Sequence, residues 1–169
     1  RGAEEDPRAG RSVLHGAQAT LFDLPPGQQV RRRQNGLEVV YLGVDLSQPG
    51  DVLPAADCVV VLAHRGGLET KEAEERARAL LSGANVVVGR GFGASLPIEH
   101  VDGRVLALSL GPFLSGEDGS GQALGVTCTN EGVRARVVPV KVTGGVPELD
   151  LDALASDLGL PRRFDVPSP

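Results

Sequence analysis

His64 is the residue in this chain best placed to do chemistry. It closes the apolar run Cys58-Val59-Val60-Val61-Leu62-Ala63 and opens the turn Arg65-Gly66-Gly67. A histidine at the carboxyl end of a buried strand stands where ligands bind in open α/β sheets. A metal centre needs three or more converging donors. His15 and His100 have no carboxylate or cysteine at ligand spacing, so no metal site and no cofactor are expected, and no catalytic residue is assigned. Arg65 and Arg90 fall just after two strand-like runs and could clamp a small anion such as phosphate or carboxylate. Gly89-Arg90-Gly91-Phe92-Gly93-Ala94 superficially matches a dinucleotide fingerprint. Leu96-Pro97-Ile98 follows as extended chain, without the helix N-terminus that would hold a pyrophosphate, so nucleotide binding is rejected. Glu117 and Asp118 lie in a glycine-serine loop and read as its solvation. Cys58 and Cys128 both sit in apolar stretches, which favours two buried thiols. In an oxidising compartment they could pair, and the sequence leaves their state open.

These residues need elements to hold them. Asn35-Gly36 between Gln29–Arg33 and Leu37–Val44 is a strong hairpin signal, because both turn residues tolerate positive φ. The β-branched run from Cys58 predicts an interior strand. Next comes a helix over Thr70–Leu81, with Thr70 as its cap, Ala73, Ala77, Leu80 and Leu81 as its apolar stripe, and Gly83 as its stop. Val86-Val87-Val88 is then a second buried strand, parallel to the first, which completes a βαβ unit. Asp102-Gly103 and Asn130-Glu131-Gly132 each join strand-like runs, so antiparallel strands follow. Leu151, Leu154, Ala155 and Leu158 make a last helical stripe. Residues 1–16 read as a flexible lead-in, 17–160 as a single α/β domain and 161–169 as an extended tail.

Composition narrows the function. The chain has 169 residues, enough for one domain with a real core, and its net charge of −5 argues against nucleic acid as a partner. Arg31-Arg32-Arg33 is too short a basic run to reverse that. Aromatics are only 3% of residues, too few to stack bases or sugars. No apolar run reaches the roughly 20 residues of a membrane span. The chain opens at Arg1 and contains no methionine, as expected of a processed or trimmed form.

Four segments, in order, resemble the second half of the bacterial capsule-synthesis (CapA-like, poly-γ-glutamate) branch of the metallophosphoesterases. They are Gly36 to Gly43, Asp57 to Gly66 (similar to "aDvvivslHWG"), Gly83 to Gly89 (similar to "GADvViG"), and the group Pro97–Glu99, Gly103–Val105 and Ser109–Leu114 (similar to "piE…gr.v.ySLGNFlF"). The resemblance covers about residues 28–142 and implies a partial metallophosphoesterase-like sandwich. That family's activity implies a di-metal centre, and only His64 matches one of its ligands. Arg90, Gly91, Phe92 and Gly93 stand in place of its histidine cluster, and Pro112 in place of the asparagine of "SLGNF". No counterpart of its amino-terminal ligand motifs precedes residue 28. The resemblance therefore implies a pseudoenzyme: a non-catalytic structural or interaction subunit with protein partners, at the cell envelope by family analogy, a cytoplasmic site being the other option. Two alternatives are the carboxyl-terminal piece of a split or processed phosphoesterase and a small-anion-binding domain. Half of a two-sheet sandwich would also leave an apolar face in need of a cover.

Overall fold

A computed structural model describes residues 11–14, 18–21, 24–34, 36–48, 50, 52–111, 118–129, 131–144 and 146–157. The elements in chain order are β1 (Arg11–Leu14), β2 (Gln18–Leu21), β3 (Gln29–Gln34), β4 (Leu37–Asp45), β5 (Cys58–His64), α1 (Thr70–Leu80), β6 (Val86–Arg90), β7 (Glu99–Val101), β8 (Arg104–Ala107), β9 (Gly119–Thr129), β10 (Gly132–Thr143), β11 (Val146–Leu149) and α2 (Leu151–Asp157). They form a mixed sheet in the order β3-β4-β5-β6-β8-β7, an antiparallel sheet β11-β10-β9 and the small pair β1-β2. The architecture is mixed α/β and consists mostly of strands.

The parallel centre of the mixed sheet is β4, β5, β6 and β8. Most of their β-branched side chains are buried, on both faces, as a parallel sheet requires. The β3–β4 hairpin closes with Gln34 opposite Leu37, the register expected of a two-residue turn. Asp102 (φ 48°) and Gly103 (φ 75°) both take the left-handed conformation that closes β7–β8 in the same way. The sequence places this second hairpin among purely antiparallel strands. Instead β8 also joins β6 in parallel, with Val86 opposite Val105, and so extends the central sheet.

Helix α1 returns the chain between β5 and β6. Ala73 and Ala77, both fully buried, bring it close to the face formed by Val59, Val61, Val87 and Leu106. Its ends differ from expectation. Glu69, not Thr70, is the N-cap, with no side-chain cap. At the carboxyl end the chain stays right-handed at Leu81, so Gly83 does not act as a left-handed stop. The Arg104 guanidinium donates to the Leu81 carbonyl instead, a cation at the negative end of the helix dipole. Arg76 donates to Leu46 O (2.8 Å), and Arg78 meets both Glu99 oxygens at 2.7 and 2.8 Å.

The opposite face of the mixed sheet is not left bare. Leu124, Val126 and Cys128 of β9, with Val133 and Ala135 of β10, pack on Val39, Cys58, Val60, Val86 and Val105. Cys58 and Cys128 are joined by a disulfide across this layer, with Cα atoms 6.2 Å apart and a sequence separation of 70. This corrects the expectation of two buried thiols, since the hairpin lays Cys128 over the first residue of β5. Strand β11 and the pair β1–β2 were not expected, and Arg11–Leu14 lies within the stretch read as a flexible lead-in. Residues 1–10, His15, Pro112–Glu117, Leu158 and the tail 161–169 lie outside the described residues.

Candidate functional site

The carboxyl ends of β4, β5 and β6 bring the sequence-predicted site residues together. Sheet register puts Asp45 beside His64 and His64 beside Arg90. The Arg65 amide donates to the Arg90 carbonyl at 3.1 Å, so the two arginines stand on adjoining strand ends. Arg90 is exposed and Arg65 half-buried.

His64 is held by contacts that the sequence does not announce. Its Nε2 donates to the Leu24 carbonyl at 2.9 Å. A carbonyl can only accept, so Nε2 must carry the proton. The carbonyl is there because Leu24 and Pro25 cross the sheet directly over Gly43. A Cβ at position 43 would collide with the carbonyl oxygens of both residues. Gly27 N donates to Gly43 O and Gly43 N to Gln28 O, each at 2.9 Å, which fixes the crossing strap along the end of β4. Glycine at 43 and histidine at 64 thus serve one contact.

Asp45 is also engaged. Its Oδ1 accepts from Ser47 Oγ at 2.7 Å and from Ser47 N at 2.9 Å. These two bonds, the side-chain one foremost, hold its carboxyl below the ordinary value of 3.8, with the nearby His64 ring adding in the same direction. Gly66, at φ 63°, lies against this pair, where any Cβ would meet Asp45 Oδ1 and come within 2.8 Å of Ser47 Oγ. The turn after β5 and the turn after β4 are therefore packed backbone to side chain.

Past β6, Gly91 (φ 84°) and Gly93 (φ 85°) turn the chain without a following helix, and it runs on extended to β7. Ser109 Oγ donates to Gly93 O at 2.9 Å, which ties this loop to the end of β8. Among the described residues no group of three or more histidine, cysteine, aspartate or glutamate side chains is arranged to hold a metal ion. His100 is exposed on β7, away from His64.

The basic run takes another place. Arg31, Arg32 and Arg33, with Glu38 and Asp57, line a shallow surface depression of about 430 Å³ beside the start of β4. Arg31 pairs with Glu38 at 3.0 Å, and Asp57 accepts from Glu38 N at 2.7 Å. Both acids sit among the arginines, so the depression is of mixed charge. No helix among the described residues is long and apolar enough to cross a membrane.

The fold and its strand-end cluster define a mixed α/β domain with a parallel core and a disulfide-fastened antiparallel cover. No protein-family model matches the sequence, and no curated protein matches it. Among solved structures it is similar to a hypothetical protein from Thermus thermophilus, at 16% identity and a TM-score of 0.46 over 68% of this chain. The chain spans 64% of the length of that protein.

Proposed function

We propose that this chain is a non-catalytic structural or protein-interaction subunit built on a degenerate CapA-like metallophosphoesterase scaffold. One observation carries the reading. The ring of His64, the side chain that matches a family metal ligand, is turned onto the Leu24 carbonyl and fastens a strap of backbone across Gly43. A ligand position has become a structural contact. The parallel strands that lead to it are retained, as expected when packing outlasts chemistry. The Cys58–Cys128 bond supports residence in an oxidising compartment, in line with the envelope placement implied by the resemblance.

Elemental analysis of the purified protein, paired with a phosphodiesterase assay in Mn²⁺, tests the reading. It expects far less than one transition-metal ion per chain and no turnover. Two tightly held ions with turnover would point instead to part of a working hydrolase and end this proposal.

A second reading rests on the Arg65–Arg90 backbone bond, which sets two guanidinium-bearing residues side by side at the strand ends. Such a pair suits a small anion. Phosphate should then raise the melting temperature, and Arg90→Ala should abolish the rise.

A further inference from the structure

Sheet edges expose unpaired backbone groups, and natural proteins blunt them with charge, proline, short length or bulges. Among the described strands, three of the four edges of the two larger sheets are blunted. β3 carries Arg31, Arg32 and Arg33. β7 has three residues and includes Glu99 and His100. β11 has four, with Pro147 and Glu148 among them. β9 has none of these devices. It runs for 11 residues, Gly119–Thr129, without a charge or a proline. Its register with β10 is continuous from Gly119 opposite Val142 to Thr129 opposite Gly132, so it has no bulge.

The direction of its backbone groups follows from one bond. Gln122 N donates to Leu110 O at 2.7 Å, on the side away from β10, and the residue opposite Gln122 is Pro139, which has no N–H to give. Strand alternation then turns the N–H and C=O of Leu124, Val126 and Cys128 outward as well. Leu110 covers the edge at Gln122, and no described strand pairs with it beyond that point.

We infer that the 123–129 edge of β9 pairs antiparallel with the same edge of a second copy of this chain, about a two-fold axis at Val126. This deepens the interaction reading by naming its surface and partner. In that register Leu124 faces the partner's Cys128, and Gly125 faces the partner's Thr127. The outward-facing pairs exchange both backbone hydrogen bonds. The core-facing side chains Leu124, Val126 and Cys128 extend one apolar layer across the axis. A copy is the occupant that this edge favours. The strand bears no charge to select a partner of opposite sign, and its own copy matches it in length and neutrality without like-charge repulsion. The same operation on β3 would set arginine against arginine. The contact is isologous and closes at two subunits. An edge contact is smaller than a standard interface, so the dimer should be concentration-dependent.

The test is sedimentation velocity on the oxidised protein from about 1 to about 500 μM, a range that spans weak transient association. The wild type should shift from monomer to dimer. The double variant Gly125→Glu with Thr127→Glu sets like charges across the axis and should stay monomeric. Its folding is supported, because Arg136 and Arg134 lie opposite these positions on β10 and a Cβ at Gly125 meets nothing closer than Arg136 O at 3.6 Å. Gly125→Glu with Thr127→Lys sets opposite charges across the axis and should restore or tighten the dimer. A wild type that stays monomeric throughout, a Glu/Glu variant that still dimerises, or a Glu/Lys variant that does not would overturn the inference. A metal-free monomer removes this inference and leaves the non-catalytic reading, whereas a metal-loaded dimer does the reverse.

Discussion

The two faces of the six-stranded sheet are closed by different means. On one, α1 lies close because Ala73 and Ala77 have almost no side chain to hold it off, and the sequence between β5 and β6 is a single local unit. On the other, a long β-ribbon from later in the chain is laid across the strands, and a covalent bond between residues 70 positions apart pins it. The helix face draws its stability from burial of β-branched and small side chains. The ribbon face has a thinner apolar layer, in which Leu124, Val126, Cys128, Val133 and Ala135 are only partly buried. A cross-link is most useful where packing alone is thin, because it limits the unfolded chain whatever the quality of the contact.

Loss of the disulfide should have the largest effect. Replacing Cys58 and Cys128 together with serine opens a loop whose ends are 70 residues apart, which should cost roughly 4 kcal/mol on a chain-entropy basis. Denaturant unfolding measures the total. Hydrogen exchange should show β9 and β10 amides losing protection before those of β5 and β6. Next is Leu106→Ala on the helix face, where the side chain is fully buried, with an expected loss of about 3 kcal/mol. That loss should be global, with no preferential opening of the ribbon. His64→Phe keeps an aromatic ring but removes the bond to Leu24 O, and should cost about 1 kcal/mol. Faster exchange of the Gly27 and Gly43 amides would locate the effect in the strap. The smallest effect concerns Asp45. Its carboxyl is held below the ordinary 3.8 by Ser47, so its contribution is present above the unfolded-state value and is lost as pH falls through the lower folded value. Asp45→Asn should therefore flatten the acid limb of the stability profile below about pH 4.

What could be read from the sequence was what depends on near neighbours. The Asn35-Gly36 and Asp102-Gly103 hairpins and the βαβ unit from Cys58 to Val88 each rest on residues close in the chain, and the structure has them. The carboxyl end of α1 is not legible locally because its partner is elsewhere: the group that satisfies Leu81 O is Arg104, 23 residues on. Cys58 with Cys128 and His64 with Leu24 O are contacts of the same kind, separated by 70 and 40 residues. The strap over Gly43 had one local sign, a glycine interrupting the apolar run Val39 to Val44. Such a glycine marks a close backbone approach. Strand β11 gave no signal because Val146-Pro147-Glu148 has the composition of a loop.

Whether the His64 ring holds the strap or a metal can be read from ¹⁵N NMR of its imidazole during a Mn²⁺ titration. With the strap held, the ring should be protonated at Nε2 and its signals should keep their position and width at stoichiometric Mn²⁺. Loss of that proton with selective broadening of the His64 ring would instead put a metal ion on the ring and the strap off it.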